Sequence, residues 1–306
     1  MTVAAIVVSY NRKDLLRRCL ASLEAQGDVL DEIILVENGS TDGSPDMVRE
    51  EFPSVTLCET GANLGGAGGF AFGLQLAIER GHAFGWLMDD DADPAPGSLA
   101  RLVEVAQDSE LRPGFIAASV TDDTGTAPNP GHPAIFDPDA EKQVRATAVG
   151  GVAVTQATFV GVLVDLGLAR TMPLPYADFF IWLDDAEYTR RLASRSIGVY
   201  VPTSIVRHPA KPASAANPDM AGRLFYYVRN HIWLSKLYEG AGAWEGSAVV
   251  KALRVIGFAL RMFPDSRSKK TWASALVRGL WEGLARNPRP VMPGEFTPTG
   301  SISGRG

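Results

Sequence analysis

Four short apolar runs, each followed by a helical pattern, fill the first part of the chain and limit what it can become. Val3 to Ser9 is the first run. Asp14 to Gln26 then places Leu15, Leu16, Cys19, Leu20 and Leu23 on one side of a helix. Glu32 to Glu37 is the second run. Gly39 to Pro45 is a turn, and Ser44 with Pro45 opens a further helix. Val55 to Glu59 is the third, Gly65 to Arg80 is a Gly-rich start feeding a helix, and Phe84 to Met88 is the fourth. Strands covered on both faces read as continuous apolar runs rather than as alternations. The pattern predicts an α/β fold, a mostly parallel sheet flanked by helices.

The 306 residues, 46% of them hydrophobic, suffice for a substantial core. Residues 122–143 are rich in Pro, Gly and Asp and read as an irregular loop. The uncharged stretch Ala146 to Val164 approaches the roughly 20 residues of a membrane helix. Gly150, Gly151, Thr155, Gln156, Thr158 and Gly161 interrupt it, so one or two buried strands are expected there. Asp185 to Ser194 reads as a short helix and Ile197 to Val201 as a strand. Residues 209–219 read as a mobile loop or lid, and the chain then looks helical to about Asn287. The expected division is a main domain at 1–235, a basic amphipathic helical extension at 236–290 and a disordered tail at 291–306.

Net charge is −6, which argues against a general nucleic-acid binder. Charge is uneven, however: residues 246–290 hold nine Lys/Arg against two acids. Lys251, Arg254 and Arg261 share a helix face, and Val255, Ile256, Phe258, Ala259 and Met262 occupy much of the rest. A second helix carries Arg278 and Arg286 with Trp272, Leu276, Leu280 and Trp281. Such helices suit an anionic membrane surface. They equally suit packing on the main domain with a solvated basic face. Cys19 and Cys58 show no metal-ligand spacing and read as reduced cytoplasmic thiols. No basic segment precedes the first apolar run, so a signal peptide is not expected.

The fourth run stops in Asp89-Asp90-Asp91. Open α/β sheets bind ligands at the carboxyl ends of their strands. Residues one apart on an extended segment point the same way, so Asp89 and Asp91 can hold one hard divalent cation. An acidic turn before Pro94 and Pro96 is the alternative. Three loops share that sheet edge: Ser9-Tyr10-Asn11-Arg12, Glu37 to Gly43, and Asn63 to Phe70. Gly65 and Gly66 allow backbone N–H groups near an anion, or simply a tight turn. Glu37 and Asp42 can accept hydrogen bonds from a uracil or ribose, or cap their own turn. A second acid group, Asp184-Asp185, follows Asp178-Phe179-Phe180-Ile181-Trp182-Leu183. A carboxylate beside apolar rings has its pKa raised, which suits a general base; both acids also suit a helix N-terminus. His208 reads as a surface imidazole or as the group completing a carboxylate metal site. In Phe225-Tyr226-Tyr227-Val228-Arg229-Asn230, aromatics and an Arg suit a sugar or phosphate, or a packed helix.

In this order the motifs resemble family 2 glycosyltransferases of the GT-A fold, over about residues 3–235. The segments are Val7 to Arg12, Val36-Glu37-Asn38-Gly39-Ser40-Thr41-Asp42-Gly43, Asn63-Leu64-Gly65-Gly66, the Asp89–Asp91 acids and Phe179 to Asp185. Glu37 departs from the family's usual Asp. Within the family, Asn63 to Phe70, Met88 to Asp91, Asp184 to Tyr188 and His208 are similar to bacterial cell-wall galactofuranosyltransferases. Rhamnosyltransferases share the outer frame, including Tyr226-Tyr227 and Arg229-Asn230.

The resemblance implies an inverting transfer of galactofuranose from UDP-galactofuranose, or of rhamnose from dTDP-rhamnose, to a polyprenyl-linked or saccharide acceptor. It implies Mn²⁺ or Mg²⁺ on Asp89, Asp91 and His208. Asp185 would be the base, with Asp184 and Trp182 on the acceptor. Ser9, Tyr10, Asn11, Arg12, Glu37, Asn38, Asp42, Asn63, Gly65, Gly66, Asp89 and Asp90 would meet the donor. It implies a cytoplasmic enzyme, peripheral on the inner face of the cell membrane. A binding protein without catalysis would not need both acid groups, and a nucleotidyltransferase would not explain Phe179 to Asp185.

Overall fold

The computed structural model describes residues 1–209, 220–239, 247–264 and 266–297, together with the backbone of 301–303. Two compact units emerge: Met1–Tyr176 with Asp185–Ala210 and Pro290–Gly306, and Ala177–Asp184 with Lys211–Arg289.

The first unit opens with β1 (Val3–Ser9), α1 (Lys13–Glu24), β2 (Glu32–Glu37), α2 (Ser44–Glu51), β3 (Thr56–Glu59), α3 (Gly65–Glu79) and β4 (Phe84–Asp89). It continues with β5 (Asp93–Pro94), α4 (Ser98–Ala106), β6 (Pro113–Thr121), β7 (Ile135–Phe136) and α5 (Ala140–Ala148). Then come β8 (Val152–Gln156), β9 (Val162–Asp165), α6 (Leu166–Ala169), α7 (Asp184–Ala193), β10 (Ile197–Arg207) and β11 (Ser301–Ser303). The sheet order is β11-β3-β2-β1-β4-β9-β6-β10-β8-β7, with β5 on β10. β1 pairs in parallel with β2 and β4, β2 with β3, and β6 with β10, while β9 runs antiparallel between β4 and β6. The strands β3, β2, β1, β4, β6 and β10 therefore point one way, and the sheet is mostly parallel.

β1 shows why. All seven of its residues are buried. Val3, Ala5 and Val7 join one apolar cluster with Leu16, Leu20 and Leu99, while Ala4, Ile6 and Val8 join another with Leu74 and Tyr188. Each face meets helices, so the strand is apolar from Val3 to Val8, and Ser9, at its end, is its polar residue. The glycines of α3 let it close on the sheet. A Cβ on Gly73 would lie 2.4 Å from Ile6 Cγ2, and one on Gly69 2.6 Å from Val8 Cγ1.

The second unit holds α8 (Leu224–Leu237), α9 (Ala248–Met262) and α10 (Lys269–Ala285). Leu224, Val228, Ile232, Ala252, Val255, Ala259, Trp272 and Ala275 form its core. At 100° per residue, Val277, Trp281 and Leu284 lie opposite the buried face of α10, while Val249, Leu253 and Leu260 lie about 110° round from that of α9, and all six are exposed. No helix among the described residues is long and apolar enough to cross a membrane.

Several elements differ from the sequence reading. Residues 146–148, expected in a strand, end α5, which Asp139 caps through the N–H groups of Glu141 and Lys142. The loop expected at 122–143 contains β7 and the start of α5. α8, counted with the 1–235 domain, groups with α9 and α10. The tail expected to be disordered instead places Phe296 on Gln75, whose side chain bonds its N–H and C=O at 2.9 Å each. Ser301–Ser303 pairs with β3. The expected lid at 209–219 lies, beyond Pro209, outside the described residues.

Candidate active site

Register brings the strand ends level. Ser9 pairs with Glu37, Val8 with Asp89 and Glu37 with Glu59, so β1, β2, β3 and β4 finish along one edge of the first unit. The loops after them are stitched to each other. Asn38 N–H donates to Ser9 O at 2.9 Å, Asn11 N–H to Ser40 Oγ at 2.8 Å, and Thr41 N–H to Asn11 Oδ1 at 2.8 Å. Asn11 takes a left-handed φ of 54° to do this. Gly65, with φ 71°, donates its N–H to Asn63 Oδ1 at 2.8 Å.

This stitching shows what four of the residues expected at the donor hold within the protein. The Glu37 carboxylate is 2% exposed and accepts the N–H groups of Gly39 and Ser40 at 3.1 and 2.7 Å. It caps its own turn. Asp42 accepts Ser44 N–H at 3.0 Å and Lys13 N–H at 2.9 Å, joining the starts of α2 and α1. Burial opposes its ionisation, but these bonds outweigh it and hold its pKa below the usual value. Asn38 is buried, its Nδ2 donating to Gly65 O at 3.0 Å. Asp90 turns inward, 4% exposed, and accepts Tyr10 N–H at 3.1 Å. Burial lifts its carboxyl from 3.8 to about 6, although Arg12 works against that. Tyr10 is exposed, Arg12 is half-exposed, and Gly66 borders open space.

Asp91 meets a histidine and an arginine. Its Oδ1 is shut from solvent and lies 2.9 Å from His208 Nε2, while Oδ2 meets Arg12 Nη1. Burial opposes ionisation here as well, yet His208 and Arg12 hold the carboxyl below its ordinary value. The short strand β5 explains how residues so far apart in sequence meet. Asp93 and Pro94 pair with Arg207 and Val206, and Arg207 Nε bonds Asp93 at 3.0 Å, drawing the acid turn to the end of β10. His208 N–H donates to Thr121 O at 3.0 Å, Asn129 Nδ2 donates to His208 O at 3.0 Å, and the His132 ring stands 4.3 Å from the His208 ring.

Asp89, Asp91 and His208 each present a ligand atom within 4.8 Å of the others. Ligands at about 2.1 Å from one ion lie about 3–4 Å apart, so the group fits a divalent cation after small side-chain shifts. Two carboxylates and an imidazole are a donor set that suits a divalent cation.

Asp185 lies in the first turn of α7. Its Oδ1 accepts Ala186 N–H at 2.7 Å, and its carboxylate also takes the Phe159 N–H. Burial nevertheless raises its pKa from 3.8 to about 6. Phe159 precedes β9 by a short turn in which Gly161 N–H donates to Leu87 O at 2.9 Å, two residues before Asp89. Its ring lies 4.9 Å from Phe70 of α3 and 6.0 Å from Tyr188 of α7. The first unit thus anchors Asp185 at the edge where Asp89 and Asp91 lie. In the second unit, Trp182 is half-buried with its ring centroid 6.4 Å from that of Tyr227, and Asp184 is 7% exposed. The sequence reading missed Asn129, His132 and Phe159. Only the histidine carried a chemical signal, and it fell in a segment read as loop.

Residues 4–145 match the family described as "Glycosyl transferase family 2". The galactofuranosyltransferase GlfT1 of Mycobacterium tuberculosis is 29% identical over 75% of this chain and 80% of its own length. An N-acetylglucosaminyl-diphospho-decaprenol L-rhamnosyltransferase of the same organism is 35% identical over 33% of this chain and 36% of its own. Among solved structures, the mannosyltransferase PcManGT of Pyrobaculum calidifontis, in complex with GDP-Man and Mn²⁺, superposes with a TM-score of 0.53 at 20% identity. That match covers 92% of this chain and 86% of that one. Strand ends that bear acids, a sheet of GT-A type and the family match agree, and residues 4–145 form a family 2 glycosyltransferase domain.

Proposed function

We propose that the enzyme transfers galactofuranose from UDP-galactofuranose, with inversion, to a polyprenyl-linked or saccharide acceptor in cell-wall galactan synthesis. One observation carries the reading: a two-carboxylate, one-imidazole group and a carboxyl with its pKa raised to about 6 share one strand-end edge. Asp89, Asp91 and His208 would hold Mn²⁺ or Mg²⁺. Such an ion, when bound, neutralises charge on the departing nucleoside diphosphate. Arg12, already beside Asp91, supplies a second positive group for the same phosphates. Tyr10 and Gly66 offer the open surface for the nucleotide. Asp185 takes the proton from the acceptor hydroxyl as that oxygen attacks the anomeric carbon. No covalent enzyme intermediate forms, as in inverting glycoside hydrolysis with an alcohol in place of water. Trp182 and Asp184, which precede Asp185 in the chain, would contact the acceptor.

The exposed apolar stripes of α9 and α10, edged by Arg254, Arg261 and Arg278, would rest on the anionic inner face of the cell membrane, where a lipid-linked acceptor lies. Residues 1–235 would hold the catalytic machinery and residues 236–290 this surface. A second reading, rhamnose transfer from dTDP-rhamnose, is supported by the match to the rhamnosyltransferase. Initial rates of nucleotide release from UDP-galactofuranose and dTDP-rhamnose, with a polyprenyl-diphosphate saccharide acceptor and Mn²⁺, separate the two. Turnover only with dTDP-rhamnose would replace the first reading by the second.

A further inference from the structure

The segment before Asp184 holds a conformation that its residues disfavour. Phe180, Trp182 and Leu183 have φ values of 64°, 67° and 67°. The left-handed region suits glycine, and bulky side chains there are outliers that persist only where the surroundings over-determine them. Three such residues fall within four positions.

Helix α8 supplies the over-determination, within the second unit. The Asn230 side chain is completely buried, and its Nδ2 donates to the carbonyls of Phe179, Ile181 and Trp182 at 3.0, 2.8 and 3.1 Å. Its Oδ1 accepts Arg229 Nε at 3.0 Å. Arg229 Nη2 reaches the carbonyls of Asp178 and, at 3.2 Å, Phe179. The guanidinium is fixed over the Trp233 ring at 4.2 Å. Ring contacts repeat the pattern. Phe180 stacks on Tyr226 at 4.9 Å, Phe179 meets Trp233 at 5.7 Å, and Trp182 meets Tyr227 at 6.4 Å. Two adjacent polar side chains thus hold the backbone of five consecutive residues, 178–182, by donating to four of its carbonyls.

We propose that Arg229 and Asn230 are positioning residues for acceptor recognition, clamping the strained segment 178–183 so that Trp182 is presented to the acceptor sugar. The proposal rests on the reading of Trp182 and Asp184 as the acceptor side. A segment so constrained has one conformation to offer before the acceptor arrives, which spares the ordering entropy of binding. Without the clamp the three residues relax to negative φ, and Trp182 turns away from its place.

The test compares Asn230→Ala, Arg229→Lys and Trp182→Ala in the full chain. Three readouts are used: kcat/KM for the acceptor, calorimetric affinity for UDP with Mn²⁺, and amide hydrogen exchange. Asn230→Ala should lower acceptor kcat/KM by about 10–100-fold, speed exchange of the 180–184 amides at least about tenfold, and leave UDP affinity within about twofold. Arg229→Lys, which keeps charge and most of the volume, should show the same pattern at about 3–10-fold. It replaces the alanine variant if that one does not fold. Unchanged exchange at 180–184 in a folded variant would overturn the clamp. A parallel loss of UDP affinity would overturn it too, because a generally structural residue would give that result. If Trp182→Ala leaves acceptor kinetics intact, the acceptor-side assignment fails, while exchange in the other variants still reports on the clamp.

Discussion

Replacing Asp185 by Asn removes the proposed base and keeps the volume and shape of the side chain. Asn keeps the Oδ1 that accepts Ala186 N–H at 2.7 Å. General-base catalysis is worth about 10²- to 10⁴-fold in rate, or about 3–5.5 kcal/mol of barrier. Turnover should fall by that factor, with UDP affinity within about twofold of wild type. Stability should move the other way. Burial raises the Asp185 carboxyl from 3.8 to about 6, and such a shift places about 3 kcal/mol on the charged form. The side chain is only half-buried, so about 1–3 kcal/mol is the working range. An acid with a raised folded-state pKa stabilises least when ionised in both states, above about pH 6. The Asn variant should therefore melt higher than wild type at pH 8. It should melt at the same temperature below about pH 4, where both side chains are neutral. Wild-type kcat should rise through about pH 6 as the base ionises. Scanning calorimetry at the two pH values, with UDP-release kinetics, checks every part. A variant that retained more than about a tenth of its turnover would refute the base assignment. A variant no more stable at pH 8 would refute the argument from burial.

Asp91→Ala and His208→Ala should each weaken Mn²⁺-dependent UDP binding at least about tenfold, about 1.4 kcal/mol; calorimetry that finds the metal dependence unchanged would remove the residue as a ligand. Gly73→Ala would set a Cβ 2.4 Å from Ile6 Cγ2 and should cost about 1–3 kcal/mol of stability, read as a lowered urea midpoint. Leu253→Glu with Trp281→Glu should reduce sedimentation with anionic liposomes at least about tenfold; equal binding of wild type to anionic and neutral vesicles would contradict the membrane reading.

The four leading strands were legible because burial on both faces leaves a continuous apolar run, as in Val3–Ser9. The acids at the end of Phe84–Asp89 were legible for the same reason: the run stops where the sheet does. Strand β6 was not, because Pro113-Gly114 opens it and Ala117-Ala118-Ser119 lacks the β-branched signature. Helix α5 could have been found from Asp139 at its N-cap, but the uncharged stretch beyond it suggested strands. Glu37 and Asp42 were read as acceptors for a ligand or as caps of their own turn, and the capping bonds become visible only in the loop geometry. The Asp91–His208 meeting depends on β5, a two-residue pairing between distant segments that leaves no pattern in sequence. Arg229-Asn230 was noticed, but its partners are backbone carbonyls about fifty positions earlier, which composition cannot indicate.

The proposed chemistry is a single displacement at the anomeric carbon, driven by one carboxylate at the edge that bears the ion-binding acids. The anomeric configuration of the first-formed product tests it most directly. Proton NMR of the glycoside made from UDP-galactofuranose should show the configuration opposite to that of the donor. A product that kept the donor's configuration would require two displacements and a covalent intermediate, and would contradict the account.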